Sequence, residues 1–160
     1  MADFNKAFTD LIGNEGRYSN DPQDPGGETM WGVTARVARA HGYAGPLRDM
    51  PRDTAKAIYH RLYWAPLRCD EYDPRVAFQV FDANVNGGNV VRWMQSAAGA
   101  AVDGLMGPRT VAAVKATEPR GFIMRFLALR LQYMTVCRDW RAFSAGWAHR
   151  IANNLSRGAS

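Results

Sequence analysis

The sequence predicts a mainly α fold with a small β-hairpin element near residues 17–33. Three observations carry that expectation. Apolar residues recur three or four apart through most of the chain, the repeat that gathers side chains on one helix face. Helix start and stop residues punctuate the repeat. One stretch, 16–33, interrupts it with Gly, Pro, Asn and Asp, the composition of tight turns. Hydrophobic residues make up 47% of the 160, enough for a real core and against disorder.

Residues 3–14 read as a first helix with Phe4, Phe8 and Leu11 on one face. Glu15 falls four residues further along that face, and Gly16 stops the helix. Gly26-Gly27 offers a tight turn that folds Asp24 and Thr29 back towards Glu15. Thr34 caps a short second helix running to about His41 and closed by Gly42. Pro51 suits the first turn of a third helix, whose inward face is Ala55, Ile58, Tyr59 and Leu62 and whose end is marked by Pro66. Asp73-Pro74 is a strong helix start, and the face formed by Val76, Val80, Phe81 and Asn84 continues until Gly87-Gly88. Asn89 caps the next helix, which carries Val90, Trp93, Met94 and Ala97. A short helix follows from Pro108 to about Thr117, then a long apolar pattern from Phe122 to Cys137. The last helix holds Trp140, Phe143, Trp147 and Ile151 and ends at Asn153-Asn154.

A net charge of +5 and an isoelectric point near 9.6 favour acidic partners such as nucleic acid, an anionic membrane face or an anionic polysaccharide. The basic residues are scattered without a run of five like charges, which argues against a nucleic-acid tail. No apolar run approaches the roughly 20 residues that span a bilayer. The start, Met1-Ala2-Asp3-Phe4-Asn5-Lys6, lacks the basic-then-apolar order of a secretory signal, so the expectation is synthesis in the cytoplasm and another route to any site outside it. Cys69 and Cys137 are far apart and read as reduced thiols. His41, His60 and His149 have no ligand-like grouping, and no metal or cofactor is expected. Neither a Ser or Cys nucleophile motif nor a phosphate-cradling Gly-rich loop is present.

Glu15 and Asp24 form the pair with chemical meaning. A carboxyl pointed inward at a helix end has its charged form disfavoured by desolvation, as a general acid requires. A carboxylate in a polar Pro/Gly-rich loop stays ionised. Glycoside hydrolysis needs one group in each state. Thr29, on the returning arm, offers a hydroxyl to orient a water beside Asp24. The plainer alternative is a solvated helix end and a turn-forming aspartate.

The block Glu15-Gly16-x-Tyr18-x-Asn20-Asp21-Pro22-x-Asp24-Pro25-Gly26-Gly27-x-Thr29-x-x-Gly32-Val33-Thr34 resembles the N-terminal signature of glycoside hydrolase family 108. These are N-acetylmuramidases found as phage endolysins and in bacterial secretion-linked loci. The resemblance continues through Ile58-Tyr59, Tyr63-Trp64 and Phe81-Asp82-x-x-Val85-Asn86-Gly87-Gly88. From about 89 to 155 the chain is similar to the family's peptidoglycan-binding region, through Gln95, Asp103-Gly104-x-x-Gly107-Pro108-x-Thr110 and Gly146-Trp147-x-x-Arg150. The resemblance implies a lysozyme-like helical fold and makes Glu15 the catalytic acid. Two departures stand out. Arg17 occupies a position where many members carry a second glycine. Phage-type lysozymes put eight and then five residues between Glu, Asp or Cys, and Thr, whereas four separate Asp24 from Thr29 here.

Tyr18, Asn20, Trp31, Tyr63 and Trp64 are then candidates for contact with sugar rings, or, for the aromatic ones, for core packing. Asp82, Asn84 and Asn86 either hydrogen-bond N-acetyl groups or cap a helix end. The expected organisation is a muramidase region over 1–88 and a helical peptidoglycan-binding region over 89–160, packed as one body. The expected activity is cleavage of the β-1,4 bond between N-acetylmuramic acid and N-acetylglucosamine by a monomeric phage endolysin. It would reach the wall after membrane permeabilisation, with no nucleic-acid partner and no stable membrane insertion. A lytic transglycosylase and a non-catalytic wall-binding or secretion-accessory protein are the rival readings.

Overall fold

The computed structural model describes residues 2–13, 18–20 and 27–160. Its described residues form eight α-helices and one two-stranded antiparallel sheet, in the mainly α class expected. The backbone divides into two compact units, one spanning 3–64 and the other 65–160 with Ala2.

In the first unit, α1 spans Phe4–Ile12. Its start is fixed by the Asp3 carboxylate, which accepts from the backbone N–H groups of Asn5 at 2.8 Å and Lys6 at 3.3 Å. The helix ends earlier than expected: Gly13 takes φ 71° and donates its N–H to the Thr9 carbonyl at 2.8 Å. Gly13, not Gly16, thus supplies the backbone freedom that terminates α1. Strands β1 (Thr29–Met30) and β2 (Val33–Thr34) pair with Thr29 opposite Thr34 and Met30 opposite Val33. The Thr34 hydroxyl accepts from the Val37 N–H and starts α2, Ala35–Ala40. Helix α3 spans Arg52–Tyr59 and runs on into a wider π-type turn, His60–Trp64. The core here is aromatic. Phe8 lies edge-on to Tyr59 at 5.3 Å, and Phe4 meets Trp64 at 5.3 Å.

The second unit begins with two 3₁₀ turns, Ala65–Leu67 and Cys69–Glu71. Helices α4 (Pro74–Asn86), α5 (Val90–Ala97), α6 (Pro108–Ala116), α7 (Pro119–Thr135) and α8 (Trp140–Ala159) follow. Asp73 and Pro74 act as read, with the Asp73 carboxylate accepting from the Arg75 N–H at 2.9 Å. Helix α7 is the central element and packs against α4, α5 and α8, burying Phe122, Phe126 and Leu127. Helix α8 does not stop at Asn153-Asn154. It continues for five more residues because Asn154 is buried within the unit and Gly158 lies against Ile123, where an added Cβ would come within 2.7 Å of Ile123 Cγ2. Cys69 is buried, Cys137 is half-buried, and both are free thiols.

Candidate active site

Glu15 and Asp24 lie outside the described residues. The described segments on either side of them are held in a specific way. Ser19 and Thr29 exchange both backbone hydrogen bonds, at 2.9 and 2.8 Å, so the two ends of the segment 20–28 are clamped together. Thr29 therefore pairs on one side with Ser19 and on the other with Thr34.

The expected Gly26-Gly27 turn falls on Gly26, outside the described residues; the described hairpin, β1–β2, turns at Trp31-Gly32. Trp31 (φ 54°) and Gly32 (φ 74°) are both left-handed, as a two-residue turn matching strand twist requires. Glycine is doubly required at 32, since a Cβ there would lie 2.5 Å from the Tyr59 hydroxyl. For Trp31 a left-handed backbone costs about 1–2 kcal/mol. Its indole N–H donates to the Met50 carbonyl at 3.0 Å, and the Arg52 guanidinium stands 6.0 Å from its ring, which offsets that cost. The half-buried indole is thereby fixed.

Arg52 is the organising residue that sequence reasoning missed. Its Nη2 donates to the Thr9 hydroxyl at 2.9 Å, and its guanidinium also covers the Phe8 ring at 5.1 Å. One side chain at the start of α3 thus ties α1 to the hairpin turn. Only the fold reveals this, because Thr9 lies 43 residues away.

The remaining candidates of this unit divide by exposure. Tyr18 is half-buried, with the Arg48 guanidinium 5.3 Å above its ring, and Asn20 is exposed. Tyr63 is half-buried beside Tyr59 at 5.4 Å. Burial, and secondarily Tyr63, pushes the Tyr59 phenol up to about 12. Trp64 is fully buried, so its ring is core.

Asp82, Asn84 and Asn86 belong to the second unit. Asp82 is 2% exposed and its carboxylate is committed internally. It accepts from Arg130, from Arg150 at 2.9 Å and from Asn154 at 2.8 Å. A contact with sugar needs an accessible oxygen, and these are engaged in joining α4, α7 and α8. Asn86, exposed at the end of α4, donates to the Asp82 carbonyl at 2.7 Å. Asn84 is half-buried on the same helix.

The motif residues near 100 also have a structural explanation. The Gln95 amide donates to Asp103, to the Leu105 carbonyl and to the Thr110 hydroxyl, and accepts from the Gly104 N–H. The Leu105 N–H, followed by the Gln95 amide, holds the Asp103 carboxyl below its usual range. This network fastens the 99–107 loop to α5 and α6. Among the described residues no group of three His, Cys, Asp or Glu side chains is arranged to hold a metal. Among the described residues no helix is long and apolar enough to cross a membrane.

Comparison with known proteins adds two findings. A family described as Glycosyl hydrolase 108 matches residues 8–88. Eleven solved chains match. Among them is the structure of Brucella abortus SagA, at TM-score 0.83 and 26% identity, covering 98% of this chain and 93% of that one. That likeness accords with the mainly α, lysozyme-like fold class. No curated protein matches.

Proposed function

The chain belongs to the glycosyl hydrolase 108 family, and from that premise we propose that it is a peptidoglycan hydrolase, an N-acetylmuramidase. The bond cut is the β-1,4 linkage between N-acetylmuramic acid and N-acetylglucosamine. The observation that carries this reading is the family match over 8–88, which includes Glu15, Asp24 and Thr29 together.

Glu15 donates its proton to the departing glycosidic oxygen, and Asp24, ionised, activates the attacking water. Positioned proton transfer of this kind contributes roughly 10²–10⁴-fold to a rate. The Thr29 hydroxyl orients that water. The Ser19–Thr29 clamp supports this assignment, since it holds the chain on both sides of the segment bearing Asp24. Tyr18, Asn20, Trp31 and Tyr63 contact the sugar rings, the fixed Trp31 indole being the best prepared of them. Asn84 and Asn86 are the second unit's own candidates for amide contacts with the glycan, and Asp82 acts through the helices it joins.

In this reading residues 1–88 form the muramidase region and 89–160 the peptidoglycan-binding region of a monomer that works without metal or cofactor. The basic surface draws it to an anionic wall. The biological role is that of a phage endolysin, made in the cytoplasm and reaching the wall once the membrane is breached. Mass spectrometry of digested, purified peptidoglycan tests the chemistry. Reducing muramic-acid ends support it; 1,6-anhydro ends mean a transglycosylase, and an undigested wall means a binding protein.

A further inference from the structure

The second unit contains a hollow of about 180 Å³ that shares Asn86 with the sugar-contact candidates but whose charged and aromatic lining the catalytic reading does not use. Arg130 and Arg150 reach it from α7 and α8, with Trp93, Tyr133, Trp147 and Cys137 also in its lining. Its electrostatics are unbalanced. Two guanidinium groups share the single Asp82 carboxylate, which leaves one positive charge in surplus. Arg130 is 1% exposed, and its Nε and Nη2 atoms have no hydrogen-bond partner among the described residues. Buried donors without partners are costly, so the surplus charge at this end of α7 is not balanced by acceptors among the described residues. The Arg150 side chain, 41% exposed, makes the same charge accessible from solvent.

The walls are of another character. Trp93 and Tyr133 lie 5.2 Å apart, and Trp147 continues into a ring series along α8, 6.1 Å from Trp140 and 6.2 Å from Phe143. Flat rings beside surplus guanidinium groups suit a ligand with an apolar sugar face and a planar anion, because a carboxylate matches the guanidinium fork.

We propose that this hollow is a carboxylate-binding subsite for peptidoglycan, engaging a charged group on or next to a muramic-acid residue. The proposal rests on the peptidoglycan reading above. The carboxylate comes either from the peptide stem or from the lactyl group of a muramic acid that has lost its stem.

Cys137 provides the readout, since it lines the hollow and the only other cysteine, Cys69, is buried. The experiment follows iodoacetamide labelling of Cys137 in the full-length chain carrying Glu15→Gln, so that added fragments are not consumed. Three probes are compared: a disaccharide bearing a tetrapeptide stem, the same disaccharide without its stem, and neutral chitotetraose. At least one charged fragment slows Cys137 labelling about tenfold, equivalent to about 1.4 kcal/mol. The fragment that protects identifies the source of the carboxylate. Chitotetraose leaves the rate unchanged, Arg150→Gln abolishes protection, and Arg150→Lys keeps part of it. Labelling of Cys69 exposes any variant that fails to fold, and the wild-type arms and the lysine variant then decide alone. Unchanged labelling with both charged fragments overturns the proposal, as does equal protection by chitotetraose or protection that survives Arg150→Gln in a folded protein. Wall digestion by the unsubstituted chain separates the two claims. Protection without digestion sinks the hydrolase reading and keeps the subsite; digestion without protection sinks the subsite only.

Discussion

Replacing Asp82 by Asn tests whether this carboxylate serves the fold or the sugar. The amide is nearly isosteric, so no cavity forms, and the change is almost purely one of charge. Asp82 and Arg130 have side chains 3% and 1% exposed, so solvent screens the pair little. Breaking a buried pair by removing one partner costs about 3–5 kcal/mol. For a chain of this size each kcal/mol lowers Tm by roughly 2–4 °C, which makes the expected loss on the order of 10 °C. Arg150, 41% exposed, is rehydrated in the variant and contributes less. The assay is urea and thermal unfolding followed by circular dichroism, with wall digestion measured well below the new Tm. Adding Arg130→Met should recover part of the loss, because no uncompensated charge then stays buried. A stability change under about 1 kcal/mol, with activity lost, would refute the reasoning and return Asp82 to the substrate.

Three further outcomes follow from the geometry. Gly32→Ala combines a left-handed backbone with a Cβ at 2.5 Å from the Tyr59 hydroxyl, and should cost about 2–4 kcal/mol in urea unfolding; a change within about 0.5 kcal/mol would mean that the turn relaxes freely. The Arg75 side chain, aided by backbone N–H groups, holds the Asp73 carboxyl below its usual range. A depressed folded value stabilises above the unfolded value and is lost as pH falls through the folded one. Asp73→Ala should therefore cost about 1 kcal/mol at neutral pH, and its gap from the wild type should close below about pH 4. A gap independent of pH would show that the charge is irrelevant. Asp24→Asn should reduce turnover on purified wall by more than about tenfold while pull-down on the wall persists; a smaller loss makes Asp24 a turn former.

Helix starts were legible wherever their chemistry is local. Thr34 and Asp73 cap with their own side chains, and Pro108 opens α6 as its ring geometry favours. Helix ends were harder. Gly16 was read as the terminator of α1, whereas Gly13 ends it, because the left-handed backbone at 13 is set by the fold and not by composition. The extension of α8 depends on distant partners: Asn154 donates to Asp82, and its carbonyl accepts from Gln79. The same non-locality hid the ion cluster, since Arg130 and Arg150 lie 48 and 68 residues from Asp82. A carboxylate near a helix end looked available for substrate because its partners were invisible along the chain. The Trp31-Gly32 turn was not legible for a different reason. Tryptophan seldom takes a left-handed backbone, and Met50 and Arg52, which hold it there, are 19 and 21 residues away. Glu15 was singled out by helical spacing, a following glycine, a carboxylate-bearing turn and the family resemblance; α1 ends at Ile12, so the helical part of that pattern does not extend to it, and Glu15 itself lies outside the described residues.

The most direct test of the central claim is turnover of purified peptidoglycan by Glu15→Gln beside the wild type, with circular dichroism confirming that both are folded. The wild type should release fragments with reducing muramic-acid ends. The glutamine variant, nearly the same size but unable to give the departing oxygen its proton, should lose at least about 10²-fold in rate, roughly 2.7 kcal/mol of barrier, while still binding the wall. Near wild-type turnover by a folded Glu15→Gln protein would contradict the account.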